Sequence, residues 1–256
     1  MYLETDALVI KTTKTLNNDL FLTLFSRKAG KIEVVANGAK SSKSQLSASS
    51  KPFVYGSFSL NTHNKVTKVI TCEIIDSHFR IADHLETLAY GNYFIELCNL
   101  ITVPSIVDYQ HFKLIVEIMS ILSNSSKSVG TDQQIDFELL KLAYLIKLSV
   151  LTGHQANLQY ICTSCGGQEN VFYFSTQAGG LICKNCEDID YKGVKINETY
   201  LKLIHYLTIK DIRVIMKTKI HANYVLYLNK IYEDYIMFHN NITEIRSNSF
   251  LKSIGE

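Results

Sequence analysis

Up to about residue 80, apolar positions come in short runs broken by polar turns. Ala7-Leu8-Val9-Ile10 is the first run, residues 20–25 (LFLTLF) the second, and Ile32-Glu33-Val34-Val35-Ala36 follows a turn at Ala29-Gly30. Residues 53–60 (FVYGSFSL) and 65–75 (KVTKVITCEII) complete about five strands, the last two joined by a hairpin turn over 61–64. Five strands are the number in an OB-fold; a small SH3-like barrel or a sandwich gives a similar pattern. Between the third and fourth strands, residues 37–51 (NGAKSSKSQLSASSK) are dominated by serine with few aliphatics, which predicts a flexible loop leaving the barrel.

After residue 80 the period lengthens to that of a helix. Residues 83–103 carry Leu85, Leu88, Ala89, Ile95 and Cys98 near helical spacing, Pro104 ends the helix, and Ser105 is placed to cap the next. Residues 111–122 put Phe112, Ile115, Val116 and Met119 on one face and Leu114, Ile118 and Ile121 on another. A polar linker over 124–134 precedes a largely buried helix at 135–151, and two more helices follow at 197–207 and 222–238. Apolar residues on several faces predict helices surrounded by helices. The longest apolar stretch, 139–151, is interrupted by Lys141, Lys147 and Ser149, which excludes a membrane span. The expected class is multi-domain α+β: a β-barrel over 1–80, then an all-helical domain over 81–256 with a small module inserted at about 159–190.

That module contains the sharpest chemical signal. Cys162-x-x-Cys165 and Cys183-x-x-Cys186 are separated by seventeen residues, within the spacing of a four-cysteine metal site. Two residues between cysteines make a tight knuckle that aims both sulfurs at one point, and two knuckles supply a tetrahedron of thiolates. Gly166-Gly167 follows the first pair and Gly179-Gly180 precedes the second, with a strand at 171–175 (VFYFS) between them. These features predict a zinc ribbon holding one structural Zn2+, closed to water and hence not catalytic. An iron–sulfur cluster or a redox pair would use the same residue type. Cys72 and Cys98 lack such spacing and read as core residues; His154 reads as a surface or interface residue, since four thiolates already satisfy the metal.

Charge modifies the picture. The net charge is +2, but residues 1–80 hold eleven Lys/Arg against six Asp/Glu, leaving fifteen against eighteen in the rest. A basic front end is a hint of a polyanionic partner or an uneven surface without function. Arg27, Lys28, Lys31, Lys40, Lys43 and Lys51 fall within 25 residues containing one acid, Glu33, and are the candidate contacts to the phosphates of a nucleic-acid partner. Phe53, Tyr55 and Phe58 either stack on bases or fill the barrel core; alternation puts the first two on one strand face and Phe58 on the other.

Met1 is followed by Tyr-Leu-Glu-Thr-Asp, neither a basic nor an apolar leader, so an intracellular protein is expected and the six cysteines read as thiols or metal ligands. No phosphate loop, dinucleotide turn, HExxH or GxSxG element appears, and no local nucleophile-plus-base set can be assembled, so no catalytic residue is assigned. A binding protein is favoured; the alternatives are a protein-interaction scaffold with a zinc ribbon and no nucleic-acid role, and a zinc-containing enzyme acting on nucleic acid.

Several segments, in order, resemble the bacterial DNA repair protein RecO family. They are residues 19–25 (DLFLTLF), Gly30-Lys31-Ile32, Asn37-Gly38-Ala39-Lys40, Lys51-Pro52-Phe53 with Tyr55-Gly56, residues 151–158 ahead of Cys162, Gly179 to Cys183 (GGLIC), and residues 245–251 (IRSNSFL). Ala156 stands where the family usually has proline, and the lysines after Gly38 are spaced by serines without an arginine cluster. The resemblance implies an N-terminal OB-fold binding single- and double-stranded DNA, and a helical domain with an inserted zinc module. It implies a non-enzymatic recombination mediator that anneals complementary strands, associates with RecR and with the C-terminal tail of single-strand DNA-binding protein, and helps load the recombinase onto coated DNA. A cytoplasmic, nucleoid-associated location follows, with no membrane and no small-molecule substrate.

Overall fold

The computed structural model describes residues 2–63, 66–125, 136–189 and 193–255. They divide into two compact units, Met1–Gln134 with Ile245–Glu256, and Ile135–Glu244. The polar linker expected over 124–134 lies largely outside the described residues, as does the tip of the hairpin turn at 64 and 65.

In the first unit, β1 (Tyr2–Lys14), β2 (Leu20–Ser26), β3 (Gly30–Ala36), β4 (Tyr55–Asn61) and β5 (Lys68–Asp76) form a closed barrel in the order β1-β2-β3-β5-β4. All pairings are antiparallel except the closure of β3 on β5, where Val35 lies beside Lys68. Period-two alternation sends Leu20, Leu22, Leu24, Val34, Ala36, Phe58 and Leu60 into one apolar core. Gly30 makes the β2–β3 turn at φ +65°, and a Cβ there would meet the Ile106 carbonyl oxygen at 2.0 Å, so glycine is required.

The segment at 37–51 corrects the expectation of a flexible excursion. It is a run of turns ending in the one-turn helix α1 (Leu46–Ser49), laid on the barrel with Ala39, Ser49 and Ser50 buried. Gly38 N–H donates to Asp19 Oδ1 (2.7 Å), Lys40 N–H to the Asn18 carbonyl (3.1 Å), and Thr12 Oγ1 to the Ser50 carbonyl (2.7 Å). Serine and alanine are small enough for backbone to lie close to the barrel, and the hydroxyls of Ser41, Ser44 and Ser49 bond locally to backbone.

A short 3-10 turn (Phe79–Ala82) leads to α2 (Leu85–Ile101) and α3 (Tyr109–Ser125). Ser105 does not cap α3: it sits at φ +62° and donates its N–H to the Lys31 carbonyl (2.9 Å), while Asp108 Oδ1 accepts from His111 N–H (2.9 Å). The helix does not restart directly after Pro104, because the chain there first makes a bridge beside Lys31. The second unit is built around α4 (Phe137–Leu151), capped by Asp136 and buried on nearly every face. The cysteine-bearing stretch follows with β6 (Val171–Ser175), β7 (Gly180–Cys183), α5 (Lys184–Ile189) and β8 (Val194–Lys195), in the sheet order β7-β6-β8. Next come α6 (Glu198–Ile209), α7 (Ile212–Ile215) and α8 (Ala222–His239), the last packed along α4, where Lys141 pairs with Glu233 at 3.3 Å. The chain ends with α9 (Ser247–Gly255), which returns to α2 in the first unit through Glu96, acceptor for the N–H groups of Arg246 and Ser247. No described helix is long and apolar enough to cross a membrane.

Candidate functional site

The four cysteines converge. The Sγ atoms of Cys162, Cys165, Cys183 and Cys186 lie within 4.8 Å of one another. The first pair is a tight loop: Cys162 N–H donates to the Gly167 carbonyl (2.7 Å), and Gly166, at φ +75°, donates its N–H to the Cys162 carbonyl (2.8 Å). The second pair is built differently, with Cys183 ending β7 and Cys186 in the first turn of α5. Two sets of backbone bonds hold the loops together, β6 against β7 and the backbone of Asn157 and Thr163 against Gly179 and Leu181.

The spacing fits a tetrahedral thiolate site. Four sulfurs about 2.3 Å from one ion stand about 3.8 Å apart along each edge, and Cys165 and Cys183 are 3.8 Å apart. A disulfide would need about 2.05 Å. Burial opposes ionisation of Cys162, but backbone N–H groups of Cys165, Cys183 and Ser164 aimed at its sulfur prevail and pull its pKa down to about 6. His154 is outside this cluster, its ring stacked on His239 at 5.2 Å. Cys98 is fully buried, with burial pushing its thiol up, and Cys72 packs against the barrel core, its thiol likewise pushed up to about 11.

The six basic candidates occupy different positions on the barrel unit. Lys31, on β3, is half-buried and donates Nζ to the Asn99 carbonyl (2.7 Å); burial lowers its pKa against the pull of Cys98 and Glu33. Lys40 donates to the carbonyls of Thr15 and Asn17 and so ties its own loop to the β1–β2 turn. Arg27 pairs with Asp6 at 3.5 Å and lies 5.3 Å over the Tyr109 ring, and Lys28 donates to the Glu4 carbonyl (2.9 Å), both side chains staying exposed. Lys43 and Lys51 are exposed on the turns that flank α1.

The three candidate aromatics are not on a common surface. Phe53 lies outside β4 at φ +72°, buried next to Gly91 of α2, which overturns its placement on one strand face with Tyr55. Phe58 fills the barrel core, and Tyr55 is half-buried with its ring edge toward Phe112 at 6.1 Å. Sequence reasoning missed two aromatics on barrel strands that face solvent, Tyr2 and Phe21. The alternation Leu20-Phe21-Leu22 holds the signal for the latter, since a phenylalanine between two core leucines must point out of the barrel.

Comparison with known proteins agrees with this architecture. Residues 1–78 match the family model described as Recombination protein O N terminal, and residues 82–248 match Recombination protein O C terminal. The chain is 30% identical over 222 residues to the DNA repair protein RecO of Alkaliphilus metalliredigens, covering 86% of this chain and 87% of that protein. It is 32% identical over 216 residues to the DNA repair protein RecO of Clostridium novyi (83% and 80%) and 31% identical over 209 residues to that of Bacillus pumilus (80% and 78%).

Proposed function

The chain belongs to the RecO family of DNA repair and recombination proteins, and from that premise we propose that it is a non-enzymatic recombination mediator that binds single- and double-stranded DNA and anneals complementary strands. The observation that carries this reading is the closed five-stranded barrel whose exterior carries exposed basic side chains. Its strand order, with β5 inserted between β3 and β4, supports reading it as an OB-fold, an architecture suited to oligonucleotides. Residues 1–80 are then the nucleic-acid-binding domain and residues 81–256 the helical domain, with the metal module at about 159–190.

The work asked of the protein is electrostatic. Lys43 and Lys51, with Arg27 and Lys28 earlier in the sequence, neutralise phosphates and release counterions, while Lys31 and Lys40 hold the surface in shape by their carbonyl contacts. Screening the repulsion between two strands raises their encounter rate without any bond being made or broken. Cys162, Cys165, Cys183 and Cys186 hold one structural Zn2+, which supplies a cross-link and, with four protein ligands, no open position for catalysis. By family, the protein associates with RecR and with the C-terminal tail of single-strand DNA-binding protein, helps load the recombinase, and acts in the cytoplasm at the nucleoid.

The test is annealing of complementary labelled oligonucleotides by the pure protein, followed by energy transfer without nucleotide or magnesium. Acceleration that fades with added salt, with both strands left intact, is the expected result. A protein that neither binds nor anneals DNA would instead be an interaction scaffold, and one that cleaves it an enzyme.

A further inference from the structure

The barrel pairings define one continuous rung that no sequence motif announces. Thr13 of β1 lies opposite Phe21 of β2, Phe21 opposite Val35 of β3, Val35 beside Lys68 of β5, Lys68 opposite Asn61 of β4, and Asn61 opposite Tyr2 back on β1. The next residues along these strands, Leu22, Val34, Val69, Leu60 and Leu3, all pack into the core. By alternation the whole rung therefore points out of the barrel. Along most of β2 that outer face is covered, with Phe25 buried against His111 and Phe112 of α3. At this rung it opens at the two rings, Phe21 being 50% and Tyr2 75% exposed, while Val35 between Phe21 and Lys68 is buried.

Charge accompanies the two rings. Lys68 stands between them on the rung, and Lys11 and Lys14 flank Thr13, all three exposed. The rung itself holds no acid; Glu33 and Glu4 are two residues away along β3 and β1. With strands about 4.8 Å apart, Lys68 is about 10 Å from Phe21 and Tyr2 about the same distance further. Two exposed aromatic faces separated by a cation suit a polymer that alternates flat bases with phosphates. The span is within the roughly 4–16 nucleotides that one OB-type groove covers.

We propose that this rung is a single-strand-specific subsite, in which bases stack on Phe21 and Tyr2 while Lys68 holds the intervening phosphate and Lys11, beyond Phe21 on β1, a flanking one. It rests on the DNA-binding reading above and adds to it the groups that tell single strands from duplex, whose bases are already stacked on one another. Neither ring contributes to the barrel core, so substitution leaves the fold intact.

The experiment measures fluorescence anisotropy with three labelled probes of equal length: oligothymidylate, an abasic strand that keeps the phosphates, and duplex DNA. Phe21→Ala and Tyr2→Ala should each weaken oligothymidylate binding about tenfold. Both should leave abasic and duplex affinities unchanged, and Phe21→Tyr should bind as the wild type does. Unaltered oligothymidylate affinity, or an equal loss on all three probes, would overturn the subsite. Wild-type protein that binds none of the probes would instead remove the DNA-binding reading as a whole.

Discussion

In the barrel, Leu22, Leu24, Val34, Phe58 and Leu60 are sealed from water, whereas residues 157–183 bury little beyond Val171, Phe174, Leu181, Ile182 and two of the four thiols. The barrel closes by a complete ring of strand pairings around an apolar centre, and the cysteine module has a three-stranded sheet whose third strand is two residues long. The barrel thus has enough buried area to hold itself and can commit its outer surface to binding. The module is too small to do so, and on the zinc reading its order depends on a metal cross-link. On that reading the cysteines serve the fold of the module, and binding falls to the outer surface of the barrel.

Removing the metal should produce the largest effect. Structural zinc binding is worth about 10–16 kcal/mol in small domains. Cys162→Ser, or strong chelation, should therefore abolish metal content and deprotect the amides of residues 157–183 in hydrogen exchange while barrel amides stay protected. Unchanged metal content in Cys162→Ser would break the contrast. Phe58→Ala is the reciprocal probe: truncating a fully buried core phenylalanine costs about 3–5 kcal/mol. It should lower barrel stability with metal content unchanged.

A pH titration sharpens the same contrast. Burial pushes the His111 imidazole down to about 4, partly opposed by Asp108, from an ordinary value of 6.5. Between those values the unfolded chain binds the proton more readily, so stability of the barrel unit is level above about pH 6.5 and falls as pH drops toward 4. The loss should reach the order of 3 kcal/mol by denaturant titration at pH 4, and His111→Gln should flatten the dependence in that window. At the small end, Lys43→Ala with Lys51→Ala should leave the melting temperature within about a degree, because exposed lysines contribute little to stability.

Much of this was legible in the sequence. Alternation in residues 20–25 and 32–36 specified strands, and the spacing of the four cysteines specified their convergence, because both signals are local. The fate of residues 37–51 was not legible: serine-rich composition is shared by disordered linkers and by backbone that packs closely because its side chains are small, and only Ala39 and Ser50 in place reveal which applies. Nor was the engagement of Lys31 and Lys40, whose acceptors Asn99 and Thr15 are positioned by the fold. Phe21 was hidden for a related reason. Its strand is apolar on both faces because α3 covers the outer one at Phe25, and the chain does not say where that cover stops.

The most direct test of the electrostatic grip is the salt dependence of single-stranded DNA affinity for the wild type and the Lys43→Ala/Lys51→Ala variant. Affinity of the wild type should fall linearly in log–log coordinates with added salt. The variant should bind more weakly, with a slope shallower by about 1.4, near 0.7 for each phosphate that is no longer neutralised. A slope identical in the two proteins would contradict a role for these lysines, and wild-type binding indifferent to salt would contradict the electrostatic account itself.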